Sequence, residues 1–132
     1  MVDSDQGSFS ETVQDHARNP RNLGPLPAFN GHAVVPGGCG DVMEFWVFVR
    51  GGELVRAAFD TNGCGSSLAC GSMATCLAEK KQMPEVMRIG QNEILDALGG
   101  LPEKQRHCAL LAANALRAAC EDYRLHGKWR MK

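Results

Sequence analysis

Cysteine, aspartate and histidine fall at three places where their spacing could do chemistry. Cys39 and Asp41 are two positions apart at the start of a strand-like run, so their side chains point to the same side. Cys64 lies between Gly63 and Gly65, where a strand-like run (Leu54 to Asp60) gives way to a helical pattern (Leu68 to Lys80). His107 and Cys108 are adjacent in the first turns of a long helical pattern. A cysteine placed like Cys64 feels roughly half a positive charge from the helix N-terminus, together with unpaired amide donors. Both favour the thiolate, the form that binds metal or attacks an electrophile. Ser66 and Ser67 follow as residues suited to the helix N-cap, and the flanking glycines leave the sulfur open to close approach.

If the strands before Cys64 and after Cys39 pair antiparallel, those two cysteines share one rim of the sheet. Bringing the start of the long helix to the same rim assembles three thiolates, a carboxylate and an imidazole. Three thiolates select zinc, copper(I) or iron–sulfur, not magnesium or calcium. Glycines at 37, 38, 40, 63 and 65 expose amides that can donate to sulfur and offset the charge of a thiolate-bound cluster. Asp41 is the informative member. A carboxylate grips iron–sulfur less firmly than a fourth thiolate, which suits a cluster meant to leave.

The elements that must position these residues read as α+β. Ser10 caps a short helix, Glu11 to Arg18, which Asn19-Pro20 ends. A loop rich in proline and glycine follows, then a short strand around His32 to Val35. From Asp41 the alternation is β: Met43, Phe45, Val47 and Val49 line one face, and Gly51-Gly52 marks a hairpin. After Cys64, Ala69, Met73, Cys76, Leu77 and Lys80 recur at helical spacing. Pro84 opens a short helical stretch, Asn92 caps another that runs to Leu98, and Pro102 suits the first turn of the long C-terminal helix. The expected architecture is a small antiparallel sheet of about three strands with helices packed on one face. The tail, with Lys128, Arg130 and Lys132, reads as a solvated end.

The 132 residues fit a single domain, 1–132, able to bury roughly two thirds of its unfolded surface without staples. Net charge is −1, which excludes the basic footprint of a nucleic-acid binder. No apolar run approaches membrane-spanning length. The first basic residue, leaving histidine aside, is Arg18, so neither a secretory nor a transit signal is expected, and the cytoplasm is the expected compartment. In a reducing compartment the six cysteines are thiols, not disulfides. Cys70, Cys76 and Cys120 lie within helical patterns and read as small core residues. His16, His32 and His126 read as surface or structural.

Four motifs resemble the IscU/NifU family of iron–sulfur cluster assembly scaffolds. They are Asp15-His16-Ala17-Arg18-Asn19-Pro20-Arg21-Asn22-Leu23-Gly24, Cys39-Gly40-Asp41-Val42-Met43, Gly63-Cys64-Gly65-Ser66 and His107-Cys108-Ala109-Leu110-Leu111-Ala112. The resemblance covers nearly the whole chain. It implies Cys39, Cys64 and Cys108 as cluster-ligand cysteines, with Asp41 and His107 assisting. It implies sulfur delivered by a cysteine desulfurase, with Cys108 as persulfide acceptor, and release of the cluster to apo iron–sulfur proteins. A [2Fe–2S] cluster is implied, with [4Fe–4S] on a homodimer and Zn2+ in the cluster-free form. The chain is then a scaffold, monomeric or homodimeric, and not an enzyme.

The chain departs from that family at two places. IscU proteins carry Leu-Pro-Pro-Val-Lys before the His-Cys pair, the segment read by a dedicated Hsp70-type chaperone. Here Leu101-Pro102-Glu103-Lys104-Gln105 stands in that place, which puts the chaperone in doubt. Cys70 and Gly71 stand where IscU usually has serines. No insertion separates Cys64 from Cys108, which sets the chain with the IscU/NifU type and apart from the SufU branch. Two other functions compete with the scaffold. One is a zinc-binding sulfur acceptor that activates a cysteine desulfurase. The other is a thiol enzyme with Cys64 as nucleophile and His107 as base, which leaves Cys39, Cys108 and Asp41 unexplained.

Overall fold

A computed structural model of the chain describes residues 9–38 and 40–131. Cys39 falls outside the described residues. Helix α1, Glu11–Arg18, starts where the Ser10 hydroxyl accepts the Val13 amide at 3.0 Å, and it stops at Asn19 ahead of Pro20. The Asn-Pro-Arg-Asn segment then lies on its neighbours. The Arg21 amide donates to Ser72 Oγ at 2.8 Å, and the Asn22 side chain donates to Thr75 Oγ1 at 2.9 Å. Backbone bonds of Asn22 and Gly24 to Phe59 cover part of a sheet edge.

Four antiparallel strands form the main sheet: β2 (Gly31–Pro36), β3 (Val42–Arg50), β4 (Glu53–Thr61) and β5 (Lys81–Gln82), in that spatial order. The expected hairpin is β3–β4. Its turn residues Gly51 and Gly52 have φ of 62° and 80°, the left-handed region that glycine enters at no steric cost. The short β5 is an addition that its two exposed polar residues did not announce in the sequence.

Met43, Phe45, Val47 and Val49 face the helices, as their alternation predicts, and are buried. Full burial of a side chain such as Phe45 or Phe59 contributes about 1.5–3 kcal/mol. Helices α2 (Gly65–Ala78) and α5 (Arg106–His126) pack on this face. Helix α2 is enclosed by the sheet, α1, α5 and a further helix, α4 (Gln91–Leu98), so it is buried nearly all round and has no polar face. The stripe expected through Cys76 and Lys80 is therefore not what it buries. Cys76 is exposed, and α2 ends two residues before Lys80. Gly71 lets this helix settle directly on the Phe59 ring.

Further boundaries also move. Between α2 and α4 lies the short α3, Met83–Val86, opened by Pro84 as expected. The N-cap of α4 is Gly90, not Asn92, because the Glu93 side chain reaches back to the Gly90 amide at 2.9 Å. Pro102 precedes a 3-10 turn, Glu103–Gln105, and α5 itself begins at Arg106.

The outer sheet face is partly covered too, by Leu26, Phe29, Trp46 and Ala58. Ala28–Phe29 (β1) pairs with Arg130–Met131 (β6). Trp129 stacks on Phe48 at 4.4 Å, and Arg130 forms a 2.6 Å ion pair with Asp122. The tail expected to be solvated is strapped down at two residues, because Trp129 meets Phe48 and Arg130 lies over the Phe29 ring at 5.2 Å, while Lys128 is exposed as expected and Lys132 lies outside the described residues. Among the described residues, no helix is long and apolar enough to cross a membrane.

Candidate functional site

Two loops build the rim. The β2–β3 connection turns back on itself, with the Gly37 amide donating to the Asp41 carbonyl at 2.7 Å. Gly40, at φ 88°, makes that turn in a conformation that a side chain would oppose. The β4–α2 connection clasps it: Thr61 Oγ1 donates to the Val42 carbonyl at 2.6 Å, and the Val42 amide donates to Asn62 Oδ1 at 2.8 Å. These bonds set Asp41 beside the loop that carries Cys64.

Cys64 is itself the N-cap of α2, and the serines expected to cap lie inside the first turn. Its thiol is exposed at the helix start. Partial burial opposes charge on the sulfur, but the amides of Ser67 and Ser66, with the Ser67 hydroxyl, outweigh it. The Cys64 pKa falls below that of an ordinary thiol. Gly63 is required here because a Cβ would strike the Ser67 side chain.

Cys108 sits in the first turn of α5, 2% exposed, where the Ser67 hydroxyl donates to its sulfur at 3.5 Å. Burial pushes the Cys108 thiol up. Ser67 pulls it down, and Cys64 and Asp41 are close enough to push it up further. His107 is exposed, with Nε2 at 3.8 Å from Cys108 Sγ. Asp41 is half-buried, and its Oδ1 is a buried oxygen with no hydrogen-bond partner among the described residues, packed against Gly37 and near Leu111. Such an oxygen costs about 1–3 kcal/mol unless a cation or donor meets it.

Cys64, Cys108, Asp41 and His107 are thus brought to one rim from three elements. Among the described residues, no three of His, Cys, Asp and Glu are close enough to hold a metal ion, and Cys39 lies outside that set. Soft sulfur with one oxygen and one imidazole is nonetheless a donor set for iron–sulfur or zinc. Ser67 is a residue of this rim, by its hydrogen bond to Cys108, that the sequence disguised as a cap. Its signal was its place one turn into a helix that starts at a glycine-flanked cysteine.

The matching family model is the NifU-like N terminal domain, over residues 8–129. The chain belongs to that family. Among the relatives of this NifU-like chain, "Iron-sulfur cluster assembly scaffold protein IscU 1" of Archaeoglobus fulgidus is 40% identical over 122 residues, covering 91% of this chain and 80% of the relative. "Iron-sulfur cluster assembly scaffold protein IscU" of Haemophilus influenzae is 36% identical over 122 residues, covering 89% and 96%. The NifU-like protein (N-terminal) of Brucella abortus has the same fold, with a TM-score of 0.69 at 18% identity, covering 88% of this chain and 94% of that one.

The remaining candidates of the NifU-like chain separate by burial. Cys70 and Cys120 are buried, and burial pushes both thiols up, Cys120 to about 12. His16 is buried with Nδ1 2.7 Å from Ser72 Oγ, while His32 pairs with Glu44 at 2.6 Å and the exposed His126 pairs with Asp122. These placements fit the surface or structural reading of all three.

Proposed function

We propose that this chain is a scaffold on which an iron–sulfur cluster is assembled from iron and desulfurase-derived sulfur and then passed to apo-proteins. Its relatives carry the name of iron–sulfur cluster assembly scaffolds. The observation that carries the reading is the partnerless buried oxygen of Asp41, set beside Cys64 and Cys108 at a rim open on the His107 side. A permanent four-thiolate centre needs no such carboxylate. A cargo site does, because oxygen exchanges more readily than thiolate on iron.

In this reading Cys39, Cys64 and Cys108 bind the cluster, Asp41 holds its labile corner and His107 stands at the exit. Cys108 accepts sulfur as a persulfide, and the Ser67 hydroxyl stabilises its charged form. A [2Fe–2S] cluster is the cargo on one chain, a [4Fe–4S] cluster on a homodimer, and Zn2+ occupies the thiolates in their absence. The unit is one domain spanning residues 1–132, working in the cytoplasm. An Hsp70-type chaperone is not expected to take part, since Glu103-Lys104-Gln105 replace the Pro-Val-Lys it would read.

Anaerobic reconstitution with iron, a cysteine desulfurase and cysteine tests this. Brown protein with a visible circular dichroism signal is expected from the wild type and from Cys76→Ser and Cys120→Ser, and none from Cys39→Ser, Cys64→Ser or Cys108→Ser. Colourless protein that still stimulates the desulfurase and binds zinc would instead favour the sulfur-acceptor function.

A further inference from the structure

Thr61 is the last residue of β4 and stands opposite Met43, at the rim end of the β3–β4 ladder. One step further, side chains take over from the backbone in holding Val42, the first residue of β3. The Val42 amide donates to Asn62 Oδ1 at 2.8 Å, and its carbonyl accepts from Thr61 Oγ1 at 2.6 Å. The same Thr61 oxygen accepts the Gly63 amide at 3.1 Å. A hydroxyl has one proton to give and two lone pairs to receive with, so both bonds form at once. This hydroxyl therefore ties the residue after Asp41 to the residue before Cys64.

Asp41 depends on that tie. Its Oδ1 has no hydrogen-bond partner among the described residues, so the place of this oxygen follows from where the backbone puts it. The Gly37 amide holds the Asp41 carbonyl at 2.7 Å, but Gly37 belongs to the same loop and fixes nothing relative to Cys64. The holds that reach across to the Cys64 loop are those of Asn62 and Thr61. Asn62 is exposed, where water competes for its bond, whereas Thr61 is half-buried and its bond is the firmer one.

We propose that Thr61 is a positioning residue of the rim, whose hydroxyl sets where the Asp41 carboxylate stands relative to the Cys64 sulfur and thereby how readily a cluster leaves. This rests on the reading of Asp41 as the labile cluster ligand. Thr61 acts through Asp41 and binds no cluster atom. Groups that orient a metal ligand from behind typically change affinity or activity by about 10–100-fold when removed. Without the hydroxyl, the Val42 carbonyl and the Gly63 amide lose their shared partner, and the Asp41 turn shifts on the single side-chain tie left by Asn62.

The test uses the full-length chain as Thr61→Val, which keeps the shape and loses the hydroxyl, and as Thr61→Ser, which keeps the hydroxyl. Each is reconstituted anaerobically with iron, a cysteine desulfurase and cysteine, and far-ultraviolet circular dichroism reports the native fold. Visible circular dichroism then follows the bound cluster, alone and during transfer to an apo-ferredoxin. Thr61→Val should shift the cluster signal toward that of Asp41→Ala and change the transfer rate in the same direction, by about tenfold. Thr61→Ser should keep both near wild type. In an Asp41→Ala background Thr61→Val should change neither, because the carboxylate it positions is gone. Thr61→Ala, which adds no methyl against the loops, should behave as Thr61→Val and replaces it if valine disturbs the fold.

Wild-type signal and transfer in Thr61→Val and Thr61→Ala overturn the positioning role, as do equal effects with and without the Asp41 carboxylate, which mark a merely structural residue. In both cases Asp41 keeps its own role. If Asp41→Ala itself carries and transfers its cluster as wild type does, the reading of Asp41 fails and takes the role of Thr61 with it.

Discussion

The Ser67 hydroxyl donates to the sulfur of Cys108 across 3.5 Å, joining the first turns of α2 and α5. A hydrogen bond to a charged group contributes about 1.5–3 kcal/mol, so it favours the thiolate over the thiol. Ser67→Ala should therefore raise the Cys108 pKa and slow its alkylation at neutral pH by about tenfold or more. Rates measured at Cys108 by peptide mapping against pH check this, and an unchanged profile would remove Ser67 from the site.

Asp41 carries an orphaned oxygen, so stability and function should separate on its removal. Asp41→Ala deletes a buried oxygen that has no hydrogen-bond partner among the described residues, and the thermal midpoint of the cluster-free chain should be unchanged or higher. Cluster transfer to an apo-ferredoxin, followed by visible circular dichroism, should slow while the bound cluster lives longer. Faster release than wild type would make Asp41 a stabilising ligand and place the lability elsewhere.

His16 predicts an acid limb of stability. Its buried ring resists protonation, so burial lowers its pKa from the ordinary 6.5. The unfolded chain then binds the proton first, and stability rises with pH over this range. The contribution should be full above about pH 6.5 and shrink as pH falls below it toward the folded value. The lowered Asp15 and Asp122 carboxyls act only below about pH 4, outside this window. Urea unfolding between pH 5 and 8 should show the decline in wild type and a flatter curve in His16→Gln.

Gly71→Ala sets helix propensity against packing. Alanine gains about 1 kcal/mol in the helix, but its Cβ would enter the Phe59 ring, which is fully buried and backed by Phe45 at 6.1 Å. Overpacking costs about 1–3 kcal/mol and more where the neighbour cannot yield. Net destabilisation by about 1–2 kcal/mol is expected in denaturant melts. A stabilised variant would mean that α2 can lift from the sheet.

The sequence alone determined the features that local chemistry sets. Ser10 at the α1 cap, the Gly51-Gly52 turn, the alternation of β3 and the glycine-flanked Cys64 each act through bonds and sterics within a few residues. The motif residues also named Asp41, Cys64, His107 and Cys108, which the fold brings to one rim. The tertiary structure alone decided what depends on neighbours far along the chain. Cys76 faces outward because α2 is enclosed on its other sides, and Arg130 is held because Phe29, far back along the chain, lies beneath it. Asp41 is orphaned, and Ser67 serves Cys108, only because two loops and two helix starts meet at one rim. Burial and charge act through space, and no spacing of residues along a chain records which distant groups will share it.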